Sequence, residues 1–139
     1  MKILTFLLSL LTLISCSVST PFYIQNKTQN NVEVKIHYNN KLEDLTNYGD
    51  YKIIYQNGIL TPKQFEKSNK ILEIEQIILN DSTVLINIPK NSTVRIARTS
   101  NTYFVNHIKT ISYNDKILSI NEVLQNSKSK NWKIIYQIQ

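Results

Sequence analysis

The chain predicts an all-β fold, an antiparallel β-sandwich of roughly seven to nine short strands with one or two helical turns, with a small β-barrel as the alternative closure. Three observations carry this reading. Apolar and polar residues alternate with a period of two in several separate segments, the pattern of a strand with one face to bury. Turn-forming residues interrupt those segments about every ten positions. Helices alternating with strands, the mark of a parallel α/β sheet, do not occur.

Residues 22–25, Phe-Tyr-Ile-Gln, read as the first strand, followed by the turn-rich residues 26–31. Val32, Val34, Ile36 and Tyr38 alternate with Glu33, Lys35 and His37, so a second strand is expected to pair with the first as a hairpin. Residues 39–50 are polar except for Leu42 and Leu45 and read as a loop or helical turn. Tyr51, Ile53 and Tyr55 share the inward face of a third strand, and Asn57-Gly58 after it suits a type I′ turn with Ile59 and Leu60 on the return.

Thr61-Pro62 places a capping hydroxyl before a proline at the first helical position, with Phe65 as the apolar contact of a short helix. Residues 71–79 read as one strand, Leu72, Ile74 and Ile78 opposite Glu73 and Glu75, with a helix as the alternative. After the turn at Asn80-Asp81-Ser82, Val84, Ile86 and Ile88 form a strand stopped by Pro89. Val94 and Ile96 point inward from a short strand with Arg95 outward, and residues 98–102 form a loop. Residues 103–113 suggest two strand pieces broken near Asn106-His107, then an Asn114-Asp115 hairpin with its return over residues 116–120.

Glu122, Val123 and Leu124 suggest a helical turn, and residues 126–131 a loop. Trp132, Ile134, Tyr136 and Ile138 make the clearest alternation in the chain, a closing strand in which Trp132 is expected to be buried.

The N-terminus has a different pattern. Lys2 precedes an uninterrupted apolar run of about a dozen residues, and small residues follow it, the three parts of an export signal. A hydrocarbon core of about 30 Å needs roughly 20 apolar residues, so the run is too short for a permanent membrane span. Leu13-Ile14-Ser15-Cys16 then resembles the lipobox of bacterial lipoproteins, and the likeness covers only this signal. It implies a diacylglycerol on the Cys16 thiol, cleavage before Cys16 and an acylated new amino terminus. Ser17 after the cysteine is, by the same resemblance, compatible with the outer membrane. Ordinary cleavage at the small residues Ser15, Ser17 and Ser19, giving a secreted or periplasmic protein, is the alternative.

Cys16 is the single cysteine, so an intrachain disulfide and a cysteine zinc site are excluded. The expected organisation is a signal over residues 1–15, a lipidated cysteine and tether over 16–21, and one β-sandwich domain over 22–139. Without the signal, 15 Lys and Arg face 10 Asp and Glu. For an exported chain this excess suits anionic headgroups or solubility, and no nucleic-acid partner is expected. Asn26, Asn80 and Asn91 head glycosylation sequons, which a bacterial context leaves unused.

No catalytic or cofactor motif is present: no G-x-S-x-G, H-E-x-x-H, P-loop or G-x-G-x-x-G. Two glycines cannot build a phosphate cradle, and His37 and His107 cannot supply a three-histidine zinc site. Glu73 and Glu75 would share a strand face, but a solvated face beside lysines accounts for them. No enzyme activity, metal or cofactor is therefore expected. The candidate interaction patch is Tyr48, Tyr51 and Tyr55, set against core packing of the latter two. Two functions fit: an envelope lipoprotein that binds a protein partner, or a small-ligand or glycan module. Sugar sites usually expose tryptophan, so a buried Trp132 favours the protein partner.

Overall fold

A strand with apolar residues at every second position has one face to hide, and this protein hides those faces between two stacked sheets. The computed structural model describes residues 17–139; the signal and Cys16 lie outside the described residues. Eleven strands are seen: β1 Ser19–Asn26, β2 Val32–Tyr38, β3 Ile54–Asn57, β4 Leu72–Glu73, β5 Gln76–Asn80, β6 Thr83–Ile88, β7 Ser92–Ser100, β8 Ile108–Tyr113, β9 Lys116–Ser119, β10 Lys128–Lys130 and β11 Lys133–Ile138. Sheet A has the order β10-β11-β1-β7-β3-β4 and sheet B the order β5-β6-β2-β8-β9. Both sheets are open, which makes the fold a sandwich and not a closed barrel.

Inward residues of both sheets form one core, including Phe22 and Ile24 from β1, Val34 and Ile36 from β2, Ile86, Ile96, Ile111 and Tyr136. β2 alternates buried and exposed positions as its sequence predicts. β1 and β7 instead are buried along nearly their whole length, because they lie in the middle of sheet A with a helix on the outer face. That helix is α1, Pro62–Lys67. It starts with a full capping box, Thr61 and Gln64 each satisfying the other's backbone N–H. Its Phe65 meets Tyr23 edge-on at 5.3 Å between ring centres and, with Ile54, closes a small second core. Burying a side chain of this size contributes on the order of 2–3 kcal/mol.

Several expectations are corrected. β1 and β2 do not pair: β1 runs parallel to β11 and antiparallel to β7, while β2 lies in the other sheet between β6 and β8. The connection crosses between sheets, held by Asn26, which is fully buried and donates its amide to the carbonyls of Asn30 (2.8 Å), Ile88 (3.2 Å) and Pro89 (3.1 Å). β1 also begins at Ser19, with Thr20 buried, so the sheet takes up part of the expected tether. Asn57-Gly58 is not a hairpin turn. Only Gly58 has a positive φ (+96°), and Leu60 N donates to Thr93 Oγ1 at 2.9 Å, which leads the chain into α1.

Residues 71–79 are two strands in different sheets, with Ile74 turned inward between them. β7 continues through the predicted loop at residues 98–102 as far as Ser100, and Arg95 is buried beneath the α1 layer rather than outward in water. Asn106-His107 ends a single helical turn, α2 Phe104–His107, not a broken strand. The predicted turn at residues 122–124 is α3, Ile120–Gln125, with a second capping box from Ser119 and Glu122. Residues 126–131 contain β10, and Trp132 sits in the β10–β11 turn at φ 62° with 59% of its surface exposed. The Asn114-Asp115 hairpin is present, both residues having positive φ, 46° and 61°.

Candidate functional site

An open sheet ends in strands whose outer N–H and C=O groups lack partners, and proteins usually protect such edges with charge, shortness or cover. Of the four edges here, β10 carries Lys128 and Lys130, and β4 is two residues long. β9 begins with Lys116 and leads directly into α3. β5 has none of these protections. Its five residues, Gln76, Ile77, Ile78, Leu79 and Asn80, are uncharged and all exposed. Ile77 is 53%, Ile78 69% and Leu79 46% exposed, and Ile71 and Leu72 just upstream are 43% and 48%.

Local chemistry fixes this edge in place. β5 pairs on one side only, with Gln76 opposite Ile86 and Ile78 opposite Val84. Asn80 closes the turn by accepting from Ser82 N at 3.0 Å, and the register slips between Ile78 and Asn80. Ile78 stands between two surface grooves. One, of about 510 Å³, is lined by Lys41, Leu42, Glu43 and Asp81. The other, of about 450 Å³, reaches Tyr38, Leu45, Tyr51 and Val84. An extended segment laid along β5 would find free backbone groups for pairing and, beside Ile78, one groove rimmed by charged side chains and one with a more apolar lining.

Of the predicted tyrosine patch, the structure brings together two members and separates the third. Tyr48 is 43% exposed and stacks on the His107 ring at 4.2 Å between centres, 22° from parallel. Tyr51 is buried, edge-on to both Tyr38 (5.9 Å) and His107 (6.2 Å), and its hydroxyl has no hydrogen-bond partner among the described residues. Tyr55 is half-buried on β3 in register with Val94 and Leu72 and makes no ring contact with the other two. A neighbour that the sequence did not single out, Tyr103, is 51% exposed and faces Tyr48 across a groove of about 450 Å³ lined also by Asn47, Ser100 and Asn106. Burial holds the His107 imidazole below its usual pKa, and its Nδ1 lies 2.7 Å from Asn40 Oδ1.

The carboxylates are engaged singly. Glu73 forms an exposed ion pair with Lys52, and Glu75 lies in the bend between β4 and β5. Asp50 pairs with the buried Arg95, and Glu66 takes Arg98 at 3.2 Å and Lys133 at 3.3 Å, joining α1 to the outer face of sheet A. The Tyr23 hydroxyl also donates to Glu66, and burial together with that carboxylate pushes its pKa up to about 12. No group of three or more His, Cys, Asp or Glu among the described residues is placed to hold a metal ion. No family model, curated protein or solved structure matches the chain.

The exposure of Trp132 removes the sequence-level objection to a sugar site. What sequence reasoning missed most was the β5 edge. Its signal was present: six aliphatic residues in positions 71–79, three of them consecutive between uncharged Gln76 and Asn80, too many for one buried face of so short a segment.

Proposed function

We propose that this chain is a non-catalytic lipoprotein of the bacterial cell envelope, held in the outer membrane by acyl chains on Cys16, whose sandwich binds a protein partner along the β5 edge. The observation that carries the binding half is the unprotected apolar edge, Ile77, Ile78 and Leu79 on a strand with one free side. The lipid half rests on the lipobox-like Leu13-Ile14-Ser15-Cys16, with Cys16 the single cysteine. Two or three acyl chains make release from a membrane very slow, since each buried CH₂ contributes roughly 0.8 kcal/mol. Among the described residues no helix is long and apolar enough to cross a membrane.

Crosslinking in intact cells followed by capture from membranes tests both halves. Ile78→Lys adds a charge at a 69% exposed side chain, so the fold is expected to hold while the crosslinked partner is lost. Cys16→Ala is expected to move the protein out of the membrane fraction. Undiminished partner capture by Ile78→Lys overturns the edge reading, and equal membrane retention of Cys16→Ala overturns the anchor. A small-ligand or glycan module is the second reading, favoured by the groove between Tyr48 and Tyr103 with its Asn47 and Asn106 amides. Saturable glycan binding lost on Tyr103→Ala would select it.

A further inference from the structure

The tether between the anchor and the fold is almost absent. Val18 N donates to Asn101 Oδ1 at 3.0 Å, Asn101 N donates to Val18 O at 2.8 Å, and Ser19 pairs with Ser100 in the sheet. Only Ser17 separates Val18 from Cys16. A residue extends at most about 3.6 Å, so the end of the sandwich at which β1 begins stays within roughly 7 Å of Cys16. If Cys16 carries the lipid, that end lies against the headgroups.

Topology decides which side chains share this end. β11 runs parallel to β1 with Ile134 opposite Phe22, so the β10–β11 turn holding Trp132 falls there. β7 is antiparallel to β1 and finishes there, leading through Thr102 and Tyr103 into α2, on whose last residue, His107, Tyr48 is stacked. The three exposed large aromatic side chains among the described residues are Trp132 (59%), Tyr103 (51%) and Tyr48 (43%), and all three are at this end. The other exposed large hydrophobic side chains among the described residues are aliphatic. Trp132 and Asn131 are the two central residues of the β10–β11 turn, with φ 62° and 51°. Lys130 and Lys133 flank the turn, Lys130 exposed and without a carboxylate within ion-pair distance among the described residues.

We propose that this end is a bilayer-contact face: Trp132, Tyr103 and Tyr48 seat among the phospholipid headgroups of the leaflet that carries the Cys16 acyl chains, with Lys130 over anionic headgroups. Amphipathic rings with basic neighbours are the side chains that favour this layer. The face fixes the tilt of the sandwich, so the β5 edge is presented in one orientation instead of swinging on its anchor. The inference rests on the lipid-anchor reading, and its test separates the two.

Trp132 is the sole tryptophan and serves as its own probe. Full-length lipidated protein is reconstituted in vesicles of phosphatidylethanolamine and phosphatidylglycerol, with and without acyl chains brominated near the headgroup. The expected result is a blue-shifted Trp132 emission and loss of most of it to the bromines. The control is Trp132→Phe/Ile117→Trp, which moves the indole to a 74% exposed position near the Asn114-Asp115 turn at the far end of sheet B; its emission is expected to persist. Vesicle-bound protein whose Trp132 is not quenched overturns the contact face, gives it to a soluble glycan or protein, and leaves the anchor standing. Equal quenching at both positions overturns it as well, since the molecule then has no fixed tilt. An intact mass of the membrane-extracted protein that shows no acyl chains on Cys16 overturns the anchor itself.

Discussion

At the scale of single residues, close approaches decide more than hydrophobicity does. Gly49 has φ +156°, and a Cβ there would lie 2.7 Å from Thr99 Cγ2 and 2.9 Å from the Arg98 carbonyl oxygen. That approach lets Asp50 exchange backbone hydrogen bonds with Arg98, N to O at 2.9 Å and 2.7 Å, and set its carboxylate against the guanidinium of Arg95. Arg95 is 8% exposed, so its charge needs that carboxylate where it is. Gly49→Ala is expected to destabilise the domain by about 2–3 kcal/mol, read from the urea midpoint at unchanged slope. A loss under about 0.5 kcal/mol, the size of an ordinary surface substitution, would mean that the backbones do not approach in this way. A run of twelve polar-rich residues does not announce such a contact, because the sequence shows which residue lacks a side chain but not what lies opposite it.

At the scale of elements, side-chain patterns were readable wherever one strand had one wet face. β2 and β6 were legible for that reason, and the Thr61 helix start and the Asn114-Asp115 hairpin from their own residue types; that Gln64 and Glu122 complete capping boxes was not read. Partner choice was not, because alternation says which face is buried and not which strand lies alongside. The pairing of β1 with β11 joins residues more than a hundred positions apart, as the Gln137 to Gln25 amide bond at 2.7 Å shows. Trp132 fell one step beyond the reach of the pattern: it continues the spacing of Ile134 and Tyr136, but its positive φ puts it in a turn. The candidate site was less legible still, since exposure of Ile77 and Ile78 follows from β5 being outermost, a property of the assembled sheet. β11 itself lies between β10 and β1, with Ile134, Tyr136 and Ile138 in the core. Deleting residues 132–139 is therefore expected to abolish the cooperative thermal transition. A truncated chain that still melts sharply would show that sheet A closes without its second strand.

At the scale of the whole molecule, the two sheets are joined by buried tyrosines as well as aliphatic packing. Tyr113 from β8 and Tyr136 from β11 share a hydroxyl–hydroxyl hydrogen bond of 2.6 Å across the core, and Tyr38 from sheet B meets Tyr51 edge-on. Burial raises the pKa of Tyr38, Tyr51 and Tyr136, and pushes Tyr23 up to about 12, all from an ordinary value of 10.0. The folded protein then holds these protons when the unfolded chain has released them. Stability from this source is complete below about pH 10 and falls as pH rises from there through the folded values, because the unfolded state binds fewer protons. The urea midpoint is thus expected to drop steeply between about pH 10 and pH 12, with phenolate absorbance from these four residues appearing together with loss of the folded signal. Tyr136→Phe removes one of the titrating groups and is expected to make the alkaline drop shallower, while costing about 1–2 kcal/mol at neutral pH because Tyr113 loses its partner. Difference titrations between the unaltered protein and single Tyr→Phe variants decide the matter. Phenolate absorbance assigned to Tyr38, Tyr51 or Tyr136 near pH 10 in a protein that remains folded would mean that water reaches those hydroxyls and that the sheets are not sealed there.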